Sequence, residues 1–229
     1  MIEVSSISKK YGRKQVLKDV SFTADKGKIT CLIGINGAGK STILKAIMGL
    51  VPVNGGRILI DGQSVDKRTY QKVAFIPDTL TMPSHMTITE CMSFMQDFYA
   101  CWNPGRAEEL LAFFKLNRND RLNNLSKGNA AKANMLLGLA LDVDYLLMDE
   151  PFSGIDMFSK ELIAQVFTSH LIEDRGVLLT THEIREFEHL IDKAVLLDEG
   201  AVRKEFDTEE YRETEGKSVV DVMREVYLP

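Results

Sequence analysis

The most specific chemistry in this chain lies in the run Gly34-Ile35-Asn36-Gly37-Ala38-Gly39-Lys40-Ser41-Thr42. It fits G-x-x-x-x-G-K-[ST], follows an apolar β run, Lys28 to Ile33, and opens a helical stretch, Ser41 to Met48. Gly34, Gly37 and Gly39 let the backbone curl, so that N–H groups of the loop, Asn36 and Ala38 included, converge on one anion. The helix N-terminus adds its partial positive charge. Lys40 is placed for β- and γ-phosphates, Ser41 for Mg²⁺ and Thr42 for an α-phosphate. The bland alternative is a plain Gly-rich turn.

A nucleoside triphosphate site needs a second half. Tyr145-Leu146-Leu147-Met148-Asp149-Glu150 is an apolar strand ending in two carboxylates. Asp149 is placed to hold Mg²⁺ through water, opposite Ser41, and Glu150 to polarise the water that attacks the γ-phosphate. Phosphoryl transfer asks mainly for positioning and charge neutralisation, which this set supplies. Standing alone, the pair reads equally well as solvated carboxylates at a sheet edge.

The elements around these residues alternate. Short β runs come first, at Ile2 to Ser6 and Val20 to Thr23, and a hairpin-like segment runs from Gly56 to Gly62. From about Asp78 to Asn134 the pattern turns helical. Thr87 with Glu90 makes a capping box ahead of Ile88, Cys91, Met92, Met95 and Phe98 at helical spacing. Asn103-Pro104 reads as an N-cap and first helical residue, with Leu110, Leu111, Phe113 and Phe114 following. Strands at Tyr145–Met148, Val177–Thr181 and Ala194–Leu197 then alternate with a helix over Lys160–Glu173, which predicts an α/β fold with a mostly parallel sheet covered on both faces. The charged tail from Asp207 ends in a short helical stripe, Val219, Val220, Met223, Val226 and Tyr227.

Composition bounds the rest. The chain has 229 residues, 45% hydrophobic and 27% charged, with net charge −5, as in an ordinary folded protein. The acidic balance argues against nucleic acid as a partner. No run of about eighteen apolar residues exists, so no bilayer span is expected. The start, MIEVSSISKKYG, lacks the apolar core of a secretory signal. Cys31, Cys91 and Cys101 form no CxxC pair and are expected to be reduced, buried thiols with no zinc role.

The order of motifs resembles the ATP-binding subunits of ABC transporters over nearly the whole chain. Leu125-Ser126-Lys127-Gly128-Asn129 looks like the family's LSGGQ signature. Ser126 can cap the helix starting there and leave the Gly128 amide free for phosphate. In the family this segment, here Ser126, Gly128 and Asn129, acts on ATP held by the other subunit. Ser153-Gly154-Ile155-Asp156 is similar to the D-loop at the dimer seam, and Thr181-His182 matches the switch histidine that contacts the γ-phosphate. His85, His170 and His189 are taken as structural. Tyr11 sits where the family stacks an aromatic ring on adenine, with Val16 beside it.

The chain departs from the family twice. After Val73 to Ile76 the family places Gln, whereas Pro77 is followed here by Asp78, shorter and charged but still able to bind Mg²⁺. The signature has Lys127 for a glycine and Asn129 for Gln. LSKG variants resemble a bacterial branch that partners exporter-type membrane subunits.

The resemblance implies a P-loop NTPase core with an N-terminal antiparallel β subdomain and an inserted α-helical subdomain. Core boundaries are expected at 1–77 and 143–206, the helical subdomain at 78–142 and a short tail at 207–229. It further implies ATP and Mg²⁺, with Glu150 and His182 catalytic and Ser41, Asp78 and Asp149 around the metal. The expected partners are a second ATP-binding subunit, identical or not, and a separate multi-span membrane protein, with the chain cytoplasmic on the inner face of the membrane. Export, of a peptide antibiotic or other small hydrophobic compound, is expected because the short tail cannot make the regulatory domain common in sugar importers. The alternative is a soluble ABC-type ATPase of cofactor assembly, translation or repair. A GTPase is disfavoured by the lack of an NKxD segment, and a catalytically dead subunit by Glu150 and His182.

Overall fold

The computed structural model describes residues 1–172, 174–182, 184 and 187–228. Two sheets organise them. The first is antiparallel, in the order β2-β1-β4-β5, from β1 (Ile2–Tyr11), β2 (Lys14–Ala24), β4 (Gly55–Ile60) and β5 (Gln63–Ser64). The second has the order β10-β9-β3-β8-β7-β6, from β3 (Ile29–Ile33), β6 (Val73–Ile76), β7 (Tyr145–Asp149), β8 (Gly176–Thr181), β9 (Lys193–Asp198) and β10 (Ala201–Asp207). Its strands are parallel except β10, which runs antiparallel to β9. The predicted α/β core, antiparallel N-terminal sheet and inserted helices are therefore all present.

Helix α1 (Lys40–Ile47) lies between the sheets, where Ile43, Leu44 and Ile47 meet Ile2, Leu17 and Phe22 from one side and Leu32, Leu147 and Leu178 from the other. The other face of the large sheet packs against α2 (Ile88–Phe98), α3 (Pro104–Phe113), α4 (Lys127–Leu139) and α5 (Met157–Phe167). The inserted helices share one continuous core with the sheet, running from Trp102, Leu110 and Phe114 through Leu136 to Leu146 and Leu179.

Local chemistry explains the boundaries. Thr87 and Glu90 form the expected capping box on α2, and Asn103 accepts the Arg106 N–H at the start of α3. Helix α5 begins earlier than the apolar pattern predicts. Asp156 caps it through the Ser159 amide, so it starts at Met157 rather than Lys160 and ends at Phe167; Glu173, its predicted end, lies outside the described residues. The expected tail is built in. A Glu199-Gly200 turn with both residues at positive φ adds β10, and Asp207 caps α6 (Thr208–Glu215). Helix α7 (Val219–Tyr227) then buries Val219 and Val222, and the Tyr227 hydroxyl lies 3.0 Å from both the Ile33 and Leu197 carbonyls, under the start of the Gly34 loop.

Candidate functional site

Parallel strands bring the predicted residues to one edge. The Gly34–Lys40 loop leaves the C-terminal end of β3, Asp78 follows β6, Glu150 follows β7 and His182 follows β8. The order β3-β8-β7-β6 makes these four exits neighbours, and ligands of open α/β sheets bind at that end. They open on a cleft of about 900 Å³. Asn36, Gly37, Gly39, Lys40, Ser41 and Thr42 line it, together with Glu150, His182, Asp78 and the α4 residues Lys127, Ala130 and Asn134.

The loop is built to receive an anion. Every other α-helix here has a side-chain cap on its first turn, whereas α1 has Gly39 at that position and none. Its first-turn amides are thus left for a ligand. Gly39 has φ 110, and a Cβ there would meet Leu17 Cδ2 at 2.6 Å, so conformation and space both require glycine. The Ala38 amide is spent inside the loop on the Ile35 carbonyl, at 3.1 Å, and is not offered to the cleft.

Lys40 is held within this loop. Its Nζ donates to Gly34 O at 2.7 Å and pairs with Glu150 Oε1 at 3.1 Å. Glu150 Oε2 accepts from His182 Nδ1 at 2.8 Å. With Lys40 and Glu150 only 6% and 15% exposed, this cation keeps its bonds until a stronger acceptor arrives, and a triphosphate is one. The Cys31 thiol one strand inward is pushed far up by burial, with the Glu150 charge adding to it, so it stays protonated.

The donor set also fits Mg²⁺. Ser41 and Asp78 line the cleft, and Asp149 is buried at the strand end with Oδ1 bonded to the Thr180 hydroxyl and Oδ2 taking no hydrogen bond from the described residues. These are hard oxygen ligands, few in number, as Mg²⁺ requires when phosphates complete its shell. Among the described residues no cluster of three or more His, Cys, Asp and Glu gathers to hold a metal without such help.

The Leu125–Asn129 segment, expected to act as a signature, lines the cleft through Lys127. Ser126 Oγ accepts the Asn129 N–H at 3.2 Å and caps α4, as expected. Gly128 packs against the Asp156–Ser159 cap of α5 in the same chain. Tyr11 is 47% exposed, with Lys9 Nζ 4.9 Å over its ring; Val16 and Lys14 line the cleft, while Tyr11 does not. Three contributors had no sequence signal. Lys14 adds a cation to the cleft. Asn134 fastens the Asp78 loop by donating to Pro77 O at 2.6 Å. Buried Arg175 donates to the Leu139 and Leu141 carbonyls, at 3.1 and 3.2 Å, pinning the end of α4.

The family model described as ABC transporter matches residues 17–153. The petrobactin import ATP-binding protein YclP of Bacillus subtilis is 33% identical over 100% of this chain and 94% of its own length. The linearmycin resistance ATP-binding protein LnrL of the same organism is 32% identical over 87% of this chain and 67% of its own length. The lipopolysaccharide export system ATP-binding protein LptB of Haemophilus influenzae is 28% identical, covering 88% of each. A solved structure described as the ATP binding subunit of an ABC transporter superposes with a TM-score of 0.87 at 28% identity, over 99% of both chains. With the uncapped glycine-rich loop, Glu150 and His182 lining one cleft, the chain belongs to the ABC transporter family as an ATP-binding subunit, an ATPase whose hydrolysis is coupled to transport.

Proposed function

We propose that this chain powers export through a separate multi-span membrane subunit, working as a dimer of ATP-binding subunits in which each ATP lies between the loop of one copy and Ser126, Gly128 and Asn129 of the other. The observation that carries the hydrolytic part is the bonded chain Lys40–Glu150–His182, running from the buried Lys40 to the exposed His182 at the mouth of an uncapped helix. ATP draws Lys40 from the Gly34 carbonyl onto its β- and γ-phosphates. That releases Glu150 Oε1, which takes the proton of the attacking water, while His182 keeps its grip on Oε2. Ser41, Asp149 and Asp78 would hold Mg²⁺, which would supply charge neutralisation on the phosphates. Asn36, Gly37, Gly39 and Thr42 complete the phosphate cradle, and Val16, with Lys14 beside it, flanks the base.

Export is favoured by the Leu125–Asn129 signature variant, and the cargo class is a peptide antibiotic or other small hydrophobic compound. Residues 1–77 and 143–206 are assigned to the ATP-binding core, 78–142 to the helical subdomain and 207–229 to the tail, and the chain is taken to work on the cytoplasmic face of the membrane through its partner. Among the described residues no helix is long and apolar enough to cross a membrane, so the pathway is assigned to a partner. The docking surface runs from the Asp78 loop through the helices to Trp102. Phe94 and Phe98 support it, because they stack at 4.4 Å between ring centroids on α2 with Phe98 71% exposed.

Purification of the tagged chain from gently solubilised membranes of its host tests the reading. The expected result is a stoichiometric multi-span protein encoded beside it and cargo accumulation when either gene is deleted. An active ATPase found only in the membrane-free fraction, with no such partner, would instead favour the assembly-type ATPase.

A further inference from the structure

The residue joining the two carboxylates belongs to neither of their motifs. Thr180, on β8, is fully buried, and the parallel register of β7 and β8 pairs it with Asp149. Its hydroxyl donates to Asp149 Oδ1 at 2.7 Å and accepts the Glu150 N–H at 3.0 Å. Its own carbonyl lies 3.1 Å from that same N–H. Glu150 needs this double hold. Its backbone is left-handed, with φ 47, at the kink that takes the chain off β7 and turns the carboxylate toward Lys40 and His182. A residue without glycine's freedom persists in that conformation only where its surroundings over-determine it.

We propose that Thr180 is a positioning residue for hydrolysis. It is not a catalytic residue, because it is fully buried and does not line the cleft. A hydroxyl has one proton and two lone pairs. The proton fixes Asp149 by one oxygen, leaving the other for the hydrated metal, and a lone pair fixes the Glu150 main chain. The carboxylate behind the metal and the carboxylate that activates water are thereby locked to one atom and keep one spacing. Burial alone does not call for this side chain. A valine suits a fully buried parallel strand at least as well, as Val177 and Val195 show in the same sheet. The hydroxyl is explained by its two polar partners. The proposal rests on the roles given above to Asp149 and Glu150.

The test compares Thr180→Val, which keeps the shape and removes the hydroxyl, with Thr180→Ser, which keeps the hydroxyl. Steady-state ATP hydrolysis is measured against ATP and Mg²⁺. Affinity for a non-hydrolysable ATP analogue is measured separately, with Mg²⁺ and with EDTA. Loss of a partner behind a metal ligand typically costs ten- to a hundredfold, so Thr180→Val is expected to lower kcat by about that factor and to weaken analogue binding only when Mg²⁺ is present. Thr180→Ser is expected to restore both. Two results would overturn the proposal: unchanged kcat and Mg²⁺ dependence in Thr180→Val, or equal weakening with Mg²⁺ and with EDTA that serine does not restore. If the valine variant fails to fold, Thr180→Ala is read by the same criteria. Glu150→Gln separates the two levels. Normal turnover in that variant refutes the role of Glu150 itself, whereas its loss beside a fully active Thr180→Val refutes only the positioning role.

Discussion

Replacing Gly128 with alanine drives a methyl group into the cap of the neighbouring helix. The added Cβ would stand 2.3 Å from Ser159 Oγ, 2.7 Å from Asp156 Oδ2 and 3.1 Å from Ser159 Cβ. The first two atoms are hydrogen-bonded to each other at 2.7 Å, and Ser159 is buried whereas Asp156 is exposed, so the clash is relieved by swinging the Asp156 carboxylate outward and parting it from the serine. Overpacking of this kind costs about 1–3 kcal/mol. Weakening the Asp156 cap costs about 1 kcal/mol more. Alanine returns at most about 1 kcal/mol of helix propensity, and less in a first turn. The net destabilisation is about 2 kcal/mol, which for a chain of this size lowers Tm by roughly 4–8 °C. Calorimetric melting of Gly128→Ala, Ser159→Ala and the double variant checks it. Ser159→Ala removes the obstructing oxygen but leaves the 3.0 Å bond from the Ser159 amide to Asp156 Oδ1. The double variant should therefore be more stable than the sum of the singles by about 1 kcal/mol. An unchanged Tm in Gly128→Ala, or strict additivity, would refute the contact between signature and cap.

Other outcomes follow from the same geometry. Lys40→Ala should lose nucleotide affinity by about tenfold or more, because a charge-assisted phosphate contact disappears; equilibrium binding of a fluorescent ATP analogue measures this, and unchanged affinity would contradict the loop assignment. Phe98→Ser should leave the ATPase rate of the isolated chain unchanged and reduce co-purification with the membrane subunit, as read by pull-down from solubilised membranes. Burial raises the Asp61 pKa, but hydrogen bonds from the Met1 amino group, Tyr145 and Lys72 outweigh it and hold the carboxyl well below its ordinary value. A depressed folded-state pKa stabilises above the unfolded value near 4 and is lost as pH falls below it, so urea midpoints should drop between about pH 4 and 2, and Asp61→Asn should flatten that slope.

Local signals in the sequence were legible because they act over a few residues. The Gly34–Thr42 spacing, the Thr87–Glu90 box, the Asn103-Pro104 start and the Ser126 cap each depend on atoms within one turn, and each stands where the sequence puts it. Asp149 and Glu150 were legible because a short apolar strand ending in carboxylates has few other uses beside a phosphate loop. Long-range consequences were not. Thr180 acquires its partners only through the β7–β8 register, and the Lys40–Glu150 pair only through the order β3-β8-β7. The start of α5 was missed because apolar periodicity begins after its cap, although Asp156 with Ser159 was the available signal. β10 alternates weakly on an edge, and only its Glu199-Gly200 turn announced it. Tyr11 was placed by resemblance, and its exposure beside Lys9 outside the cleft leaves Lys14 and Val16 as the lining residues on that side.

The central claim is that Glu150, freed from Lys40 by the triphosphate, activates the attacking water. Glu150→Gln preserves the shape of the side chain, removes the base and weakens the hold on Lys40 Nζ, now 3.1 Å away. With ATP and Mg²⁺, size-exclusion chromatography with light scattering, run beside a phosphate-release assay, should show undiminished ATP binding, no turnover and a long-lived dimer. A monomer that hydrolyses ATP at a near-normal rate would contradict the account.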